Sequence, residues 1–241
     1  VAKAALKDFL PEIGDYATAH NLPSVEGTSR LSPHLHFGGL SSATGWPMAP
    51  KQAQRKPEPF LREVGWRDFG LGMIDQLPRL GEANDREQFD NFPWRSLKTK
   101  AARANFDAWK AGTTGYPIID AGMRQLWATG WMHNRVRMIA ASFLVKHLLI
   151  DWRHGARWFW DTLVDADYGT NSMNWQWVAG TGVDAAPFFR IMAPLVQSRK
   201  FDAASYIREW VPELVGLDGN HIHEPWTAPH PPDDYPPPIV S

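Results

Sequence analysis

Residues 114–152 decide the fold, and they read TGYPIIDAGMRQLWATGWMHNRVRMIAASFLVKHLLIDW. We predict two helices joined at Thr129 and Gly130. Pro117 suits the first turn of the first helix, where a missing backbone N–H costs nothing. Gly130 suits the end of that helix, because glycine readily adopts the left-handed conformation of a helix stop. The stretch therefore predicts a helix pair at the centre of the molecule.

The second predicted helix has two unlike faces. Apolar residues at helical spacing predict its core side, and they are Val136, Ile139, Ala140 and Phe143. The opposite face carries an aromatic ring, an amide, a thioether and guanidinium groups, from Trp131, Asn134, Arg135 and Met138, with Arg137 at its border. Such groups suit a flat conjugated ligand or a nucleobase, although aromatic and methionine stripes are more often packing surfaces.

The composition is that of an ordinary globular protein with many indoles. The 241 residues are enough for one large domain or two small ones, and for a sizeable core. No apolar run approaches the ~20 residues that a membrane-spanning helix needs. The absence of Cys excludes disulfides and thiolate zinc sites, and a net charge of −1 means that nucleic-acid binding requires a local basic patch. The 13 Trp residues indicate either a large aromatic core or surfaces for stacking and charge transfer.

The first sixty residues are predicted as a helix and a long connection. We predict a helix over 1–21, a loop over 22–39 and a further loop over 41–50, followed by a polar, basic stretch over 51–59. Hydroxyls, a guanidinium and backbone N–H groups in the first loop suit a phosphate cradle, and they belong to Thr28, Ser29, Arg30, Leu31 and Ser32. The alternative is that these hydroxyls only cap a helix. Because the first residue is not Met, we expect the chain to begin inside a longer protein.

A second mixed stripe lies on the helix predicted over 60–77. Glu63, Trp66, Arg67 and Gly70 recur at the spacing of one helix face. The stripe is either part of a ligand site or a solvated face with an incidental indole. A basic stretch leads into the next helix, which we predict to end at Ala111.

The C-terminal part is predicted to be helical as well. We expect helices over 155–164 and 201–215 and a Pro-rich, extended tail over 227–241. Asp165, Asp167 and Asn171 lie in a predicted turn that could hold a metal, but the ligand spacing of a calcium loop is absent. No alternating pattern persists long enough to predict a sheet. We therefore predict one all-α domain over residues 1–241.

Several motifs together resemble the DNA photolyase/cryptochrome family. They are GTSRLSPHLHFG (27–38), REVGWRDF (62–69), TGYPIIDAGMRQL (114–126), TGWMHNRVRM (129–138) and WQW (175–177). The resemblance runs from about Tyr16 to Ile239 and is greatest to bacterial cyclobutane pyrimidine dimer photolyases. It implies a multi-helical FAD-binding domain, without the N-terminal α/β antenna domain of the family. Departures from the family pattern are found at His20, Gly70, Met173, Asn174 and Ala193.

The resemblance implies FAD as the cofactor and no metal. Tyr16 and the run from Thr28 to Ser32 match the positions that grip the FAD diphosphate. Positions around the flavin and adenine are matched by Arg67, Trp131, Arg137, Asp165, Ala166, Asp167 and Asn171. Among these, Arg137 and Asp165 resemble the family's ion pair beside the flavin ring, and Asn171 matches the residue that faces flavin N5.

The resemblance also implies a damaged-DNA site and an electron relay. Positions that contact the lesion or the adjacent DNA are matched by Glu63, Trp66, Asn134, Arg135, Met138 and Trp177, and Arg190 is a candidate for holding phosphate on the rim. Asn134 and Met138 favour the cyclobutane dimer, since relatives that repair the 6-4 photoproduct carry His at both positions. Trp175, Trp152 and Trp94 match the family's chain of electron-carrying tryptophans.

These matches imply a carbon–carbon lyase that repairs DNA in light. Excited reduced FAD would transfer an electron to a dimer flipped out of the duplex. One alternative is a cryptochrome-like receptor that photoreduces FAD and signals through a protein partner, and another is a helical module without a cofactor. We expect a cytoplasmic monomer with no membrane partner.

Overall fold

The computed structural model describes residues 1–43, 57–188 and 190–240, and within these ranges the chain forms helices and irregular segments without a β-strand. The α-helices are α1 (Ala2–Phe9), α2 (Tyr16–Ala19), α3 (Ser32–His36), α4 (Glu58–Gln76), α5 (Lys100–Ala111), α6 (Pro117–Thr129), α7 (Asn134–Ser142), α8 (Trp152–Thr162), α9 (Tyr168–Ala179), α10 (Pro194–Lys200) and α11 (Ala204–Trp210). The all-α prediction is therefore confirmed. The loop predicted over 41–50 and the basic stretch over 51–59 lie mostly outside the described residues.

The first helix of the central pair begins and ends at the predicted residues. Pro117 is the first residue of α6, and Gly130 ends that helix in the left-handed conformation with φ of 69°. The second helix is shorter than expected, because it begins only at Asn134, where the His133 ring accepts a hydrogen bond from the Arg135 N–H at 3.2 Å. Trp131 therefore lies in the connection and not on the helix face that the spacing predicts.

The end of the central stretch also differs from the prediction. A π-helical segment, Phe143–His147, continues α7. The backbone then turns at Leu149, whose φ is 52°, and Asp151 caps a new helix by accepting a hydrogen bond from the Arg153 N–H at 2.9 Å. Trp152 is thus the first residue of α8 rather than the last residue of the second helix.

Two further helix predictions and one turn prediction were wrong in extent. The helix expected over 1–21 is broken into α1, a 3-10 turn and α2, because Pro11 cannot continue a helix. The turn expected from Asp165 is short, since Asp167 accepts a hydrogen bond from the Thr170 N–H at 3.1 Å and so caps α9. The helix expected over 201–215 is limited to α11, which ends before Pro212, and α10 was not predicted.

A buried carboxylate holds the C-terminal segment against the central pair. Asp120 is fully buried and accepts hydrogen bonds from the Thr114 N–H and hydroxyl, each at 2.7 Å, and from the Tyr235 hydroxyl at 2.6 Å. Nearby, the Ile239 N–H donates to the Thr114 carbonyl at 3.0 Å. Tyr235 and Ile239 therefore anchor the Pro-rich tail to the central pair.

Two hydrophobic clusters flank the site described below. The larger one joins α5 to α9 with α11, and its fully buried aromatic residues include Trp109, Trp152 and Phe143. The smaller one packs α1, α2 and the following loop against the first half of α4. Full burial of each large apolar side chain stabilises the fold by about 1.5–3 kcal/mol.

Helices α4 and α9 approach each other closely at two glycines. A Cβ added at Gly169 would collide with the backbone carbonyl of Gly70, and one added at Gly70 would lie 3.4 Å from the backbone of Gly169 and Thr170. Gly70, where the family pattern has an aromatic residue, lies at this contact. The contact fixes the distance between the two helices that face the site.

We predict that Gly169→Ala lowers the free energy of unfolding by about 1–3 kcal/mol, because the added methyl group forces the helices apart. The matched control is Gly72→Ala, since Gly72 lies on the exposed side of α4, where an added Cβ would meet nothing within 4 Å. The control should stabilise the fold by up to about 1 kcal/mol. Equal effects of the two substitutions in urea unfolding would contradict the close approach.

Candidate functional site

A cavity of about 560 Å³ opens between the two hydrophobic clusters. Its walls come from α2, the loop before α3, α4, α7 and α9. The residues that were assigned to cofactor and lesion and that line it are Tyr16, Thr28, Ser29, Arg30, Leu31, Ser32, Glu63, Trp66, Arg67, Trp131, Asn134, Arg135, Arg137, Met138, Asp165, Ala166, Asp167, Asn171, Trp175 and Trp177. The structure thus brings segments that are far apart in the chain to one site.

An ion pair lies inside the cavity. The Arg137 guanidinium donates to both oxygens of Asp165, at 3.0 and 2.9 Å, and its Nε donates to the Met132 carbonyl at 2.7 Å. The Ser32 hydroxyl donates to Asp165 at 2.5 Å. Burial alone would raise the pKa of Asp165, but the Arg137 charge and these hydrogen bonds outweigh it, so the pKa lies below its usual range. The carboxylate is therefore ionised and the geometry of the pair is fixed.

A second ion pair, between Arg67 and Asp167, also lines the cavity. Arg67 donates to the Leu35 carbonyl at 3.2 Å and lies 3.5 Å from Asp167. His36 lies 3.7 Å from the same carboxylate. Sequence reasoning missed His36, because no local pattern relates it to Asp167. Only the fold, which brings α3 beside the start of α9, reveals its partner.

The predicted phosphate loop presents its hydroxyls to the cavity, while its guanidinium is already engaged. Arg30 has a left-handed backbone with φ of 47°, and its side chain pairs with Glu26 at 2.7 Å and lies 4.5 Å above the Trp131 ring. The Ser29 hydroxyl accepts a hydrogen bond from the Leu31 N–H at 3.4 Å. Thr28 and Ser29 therefore offer hydroxyl groups on a loop that Glu26 and Trp131 hold in place.

Tyr16 adds a neutral donor to the same end of the cavity. Burial, together with the nearby Glu63 charge, raises the pKa of the Tyr16 hydroxyl, which therefore remains protonated. The ring stacks on His20 at 4.6 Å and contacts Phe9 and Phe60 edge to face. This packing fixes the direction in which the hydroxyl can donate.

Asn171 and Thr170 contribute polar groups from the first turns of α9. The Asn171 amide nitrogen donates to the Ala156 carbonyl at 3.0 Å, which orients the side chain against α8. The Thr170 hydroxyl is enclosed and has no hydrogen-bond partner in the described part of the protein, although the residue lines the cavity. An enclosed polar group without a partner costs stability unless a ligand or water satisfies it. These groups fit a large ligand that is rich in hydrogen-bonding atoms, such as a dinucleotide.

The mouth of the cavity has a different character. Trp66 is 41% exposed, Asn134 is exposed, and Met138 and Trp177 are partly buried beside them. The Arg190 guanidinium lies 5.6 Å from the centre of the Trp177 ring. Exposed indoles next to an amide and a cation suit stacking and hydrogen bonding to a base.

The loop that carries Arg190 is held by a lysine on the π-helical segment. The Lys146 ammonium donates to the Ala179 carbonyl at 2.9 Å and to the Phe188 carbonyl at 2.7 Å, and it lies 3.8 Å above the Phe188 ring. Burial lowers the pKa of Lys146 to about 8. Lys146 thereby caps the end of α9 and fixes the loop next to Trp177.

The Arg135 guanidinium is engaged within the protein, so it is less available to bind a phosphate than an unpaired arginine would be. Its guanidinium donates to the Asn21 side chain and lies 4.5 Å above the Phe201 ring, and its Nε has no partner among the described residues. Burial and the nearby Arg190 charge lower its pKa. The structure therefore places Arg135 beneath the rim, where Arg190 is the more exposed cation.

The predicted electron relay leads away from the cavity. Trp175 lines the cavity and its ring packs on α8 at Gly155, which leaves no room for a side chain there. Trp152, one turn earlier on α8, is fully buried, and Trp94 is partly exposed next to Phe92 at 4.3 Å. Trp109, for which the motifs imply no role, is a second buried indole 6.3 Å from Trp175.

Two negative findings concern the described part of the chain. It contains no group of three His, Cys, Asp or Glu residues arranged to hold a metal ion. None of its helices combines the length and the apolar character required to cross a membrane.

Comparison with known proteins places these features in a family. The family model described as FAD binding domain of DNA photolyase matches residues 60–241. A deoxyribodipyrimidine photo-lyase of Agrobacterium fabrum is 49% identical over 230 residues, which are 93% of this chain and 47% of that protein.

Solved structures agree in fold. A bacterial class III photolyase from Agrobacterium tumefaciens has a TM-score of 0.92 at 47% identity, over all of this chain and 52% of its own. A Synechocystis cryptochrome has a TM-score of 0.89 at 34% identity, again over all of this chain and 52% of its own. The chain spans about half the length of these relatives. It belongs to the DNA photolyase family and corresponds to the FAD-binding domain of that family.

Proposed function

We propose that this chain binds FAD in the cavity and carries out light-driven repair of cyclobutane pyrimidine dimers in DNA. The observation that carries the proposal is that one cavity has an interior and a mouth lined by different kinds of side chain. The interior holds fixed charges and hydroxyls, whereas the mouth holds exposed indoles, an amide and a cation. The naming of the Agrobacterium relatives as photolyases supports the same function.

The interior residues fit the cofactor in distinct ways. The hydroxyls of Thr28, Ser29 and Tyr16 would donate to the diphosphate, which carries negative charge. Arg137, paired with Asp165, would present a guanidinium to the flavin, and Asn171 would offer it the amide oxygen that α8 leaves unbound. FAD, when bound in its reduced form, supplies the electron that light drives into the dimer and that returns after the ring has split.

The mouth residues receive the lesion. A dimer pairs and stacks poorly in the duplex, so flipping it out costs less than flipping normal bases. Trp66 and Trp177 stack on the flipped bases, which is worth roughly 1–3 kcal/mol per base. Asn134 offers a donor and an acceptor to the base edges, and Met138 fills the apolar space beside it. Glu63 lines the same cavity, and its carboxylate accepts a hydrogen bond from a pyrimidine N–H.

A second candidate function is that of a blue-light receptor. Two observations favour it: the structural likeness to the Synechocystis cryptochrome, and the three relay indoles, of which Trp175 lines the cavity, Trp152 is buried and Trp94 is partly exposed. A receptor needs the cofactor and the relay but not the lesion site. The exposed Trp66 and Asn134 at the mouth are features that repair uses and signalling does not require.

We predict that Trp177→Ala weakens binding of dimer-containing DNA by about tenfold to a hundredfold, because one stacking platform of about 1–3 kcal/mol is removed. Trp160→Ala is the matched control, since Trp160 is an exposed indole, 47% accessible, that does not line the cavity. The measurement is a binding titration at constant salt, with undamaged DNA as reference. Equal losses in both variants would remove Trp177 from the lesion site.

We predict that Asp165→Asn lowers the free energy of unfolding by about 3 kcal/mol, because it leaves the Arg137 guanidinium without its partner. The chain should also retain less FAD. Asp161→Asn, on the exposed side of α8, is the control and should change neither quantity.

The same pair has a predictable pH dependence. The pKa of Asp165 is lower in the folded state than in the unfolded state. The contribution of ionised Asp165 to the free energy of unfolding is therefore fully present above the unfolded pKa of about 3.9. It is lost as the pH falls through the folded pKa. The stability difference between the native chain and Asp165→Asn should shrink on acidification. A difference that stays constant from neutral pH down to about pH 3 would contradict this assignment.

A further inference from the structure

The N–H edge of Trp152 ends in a short polar chain. Trp152 is fully buried, and its indole N–H donates to the Asn84 Oδ1 at 2.9 Å. Asn84 is itself buried, at 7% exposure, and its Nδ2 donates to the Asp90 carboxylate at 2.8 Å. The direction of each bond follows from these groups, because an indole nitrogen only donates and a carboxylate only accepts. The amide of Asn84 is thus oriented with its oxygen toward the indole.

The chemistry of an indole changes when it loses an electron. The N–H of an oxidised indole is a far stronger acid than that of the neutral ring, so a nearby base takes the proton. An amide oxygen accepts a hydrogen bond but is not basic enough to accept that proton. Because Trp152 is fully buried, Asn84 rather than solvent faces this N–H.

The charges around Trp152 act in opposite directions. The Arg153 guanidinium lies 5.2 Å from the ring centre and opposes positive charge there, but it is paired with Asp151 at 2.7 Å. Asp90 acts through the Asn84 amide, since a hydrogen bond to a carboxylate polarises the amide and strengthens its next hydrogen bond. The N–H edge is therefore the side of the ring on which positive charge is favoured.

We propose that Asn84, oriented by Asp90, is a positioning residue that places a non-basic hydrogen-bond acceptor against the Trp152 N–H, so that the indole keeps its proton while an electron passes through it. The inference rests on the proposed binding of FAD and on the predicted relay of Trp175, Trp152 and Trp94, which would supply electrons to light-excited, oxidised FAD. Oxidised Trp175 takes one electron from Trp152, and Trp152 takes one from Trp94. The proton stays on Trp152 throughout. Trp94, which is partly exposed, releases its proton to water.

The decisive variant exchanges the two side chains. In the double variant N84D/D90N the hydrogen bond between the two positions is retained with donor and acceptor reversed, and a carboxylate faces the indole. We expect the oxidised Trp152 to give up its proton there, so that transient absorption shows a deprotonated indole radical and electron transfer from Trp94 becomes about tenfold slower or more. A solvent deuterium effect on electron transfer from Trp94 to Trp152 should appear in this variant alone.

Two control variants separate this role from packing. N84L removes the acceptor without supplying a base, and D90N retains the amide without the charge. Both should show the protonated radical, as the native chain does. A deprotonated radical in N84L, or a protonated one in N84D/D90N, would overturn the proposal.

A readout without cofactor tests the hydrogen bond itself. In the FAD-free chain, the Trp152 indole N–H should exchange slowly with solvent, and N84L should shift its NMR resonance and speed its exchange. An unshifted resonance in N84L would show that Asn84 does not bind the indole, and the proposal would fail.

Trp152→Phe distinguishes failure of the inference from failure of the relay. If Trp152→Phe slows photoreduction of FAD while N84D/D90N behaves like the native chain, the assignment of Asn84 alone is wrong. If Trp152→Phe leaves photoreduction unchanged, the relay is wrong and the inference falls with it. Repair by chemically reduced FAD does not use the relay and should persist in all of these variants.

Discussion

The pair between Arg137 and Asp165 is the interaction on which the site depends. It joins α7 to the connection that precedes α9, and Ser32 brings the N-terminal loop to the same carboxylate. Its side chains are mostly removed from water, so breaking the pair leaves a charge that little else can compensate. Because Arg137 is held inward, Asn134 and Met138 on the same helix are left at the mouth. One helix thereby contributes to both the interior and the mouth of the cavity, which are the proposed cofactor and lesion regions.

A similar division occurs on α9. Side chains two residues apart on a helix point about 200° from each other, and Trp175 and Trp177 stand in this relation. Trp175 is buried against α8, on the side toward Trp152, whereas Trp177 lies at the mouth beside Arg190. The proposed electron relay and the proposed DNA site therefore lie on different sides of this helix. Lys146 and the Gly70–Gly169 contact hold α9 in this orientation.

Local sequence signals predicted the helices best and the contacts between them least. Pro117 and Gly130 mark the ends of α6 as expected, because their backbone preferences act within a single turn. Asp167 is a helix cap rather than part of a longer turn, and sequence cannot separate the two because the same residue type starts helices and occupies loops. Trp131 was predicted on the wrong element, because the capping role of His133 depends on the fold. Asn84 carries no sequence signal at all, as its partner lies 68 residues further along the chain. Family motifs identified the cavity residues that periodicity alone left ambiguous.

The most direct test of the account is light-dependent repair by the purified chain after loading with FAD and chemical reduction. A dimer-containing oligonucleotide is illuminated with blue light, and the restored pyrimidines are quantified against a dark sample. The account predicts restoration in the light only, with a strong loss of repair when Trp177 is replaced by alanine at limiting DNA. A chain that binds FAD and photoreduces it, yet restores no dimer in the light, would contradict the repair function and favour the receptor.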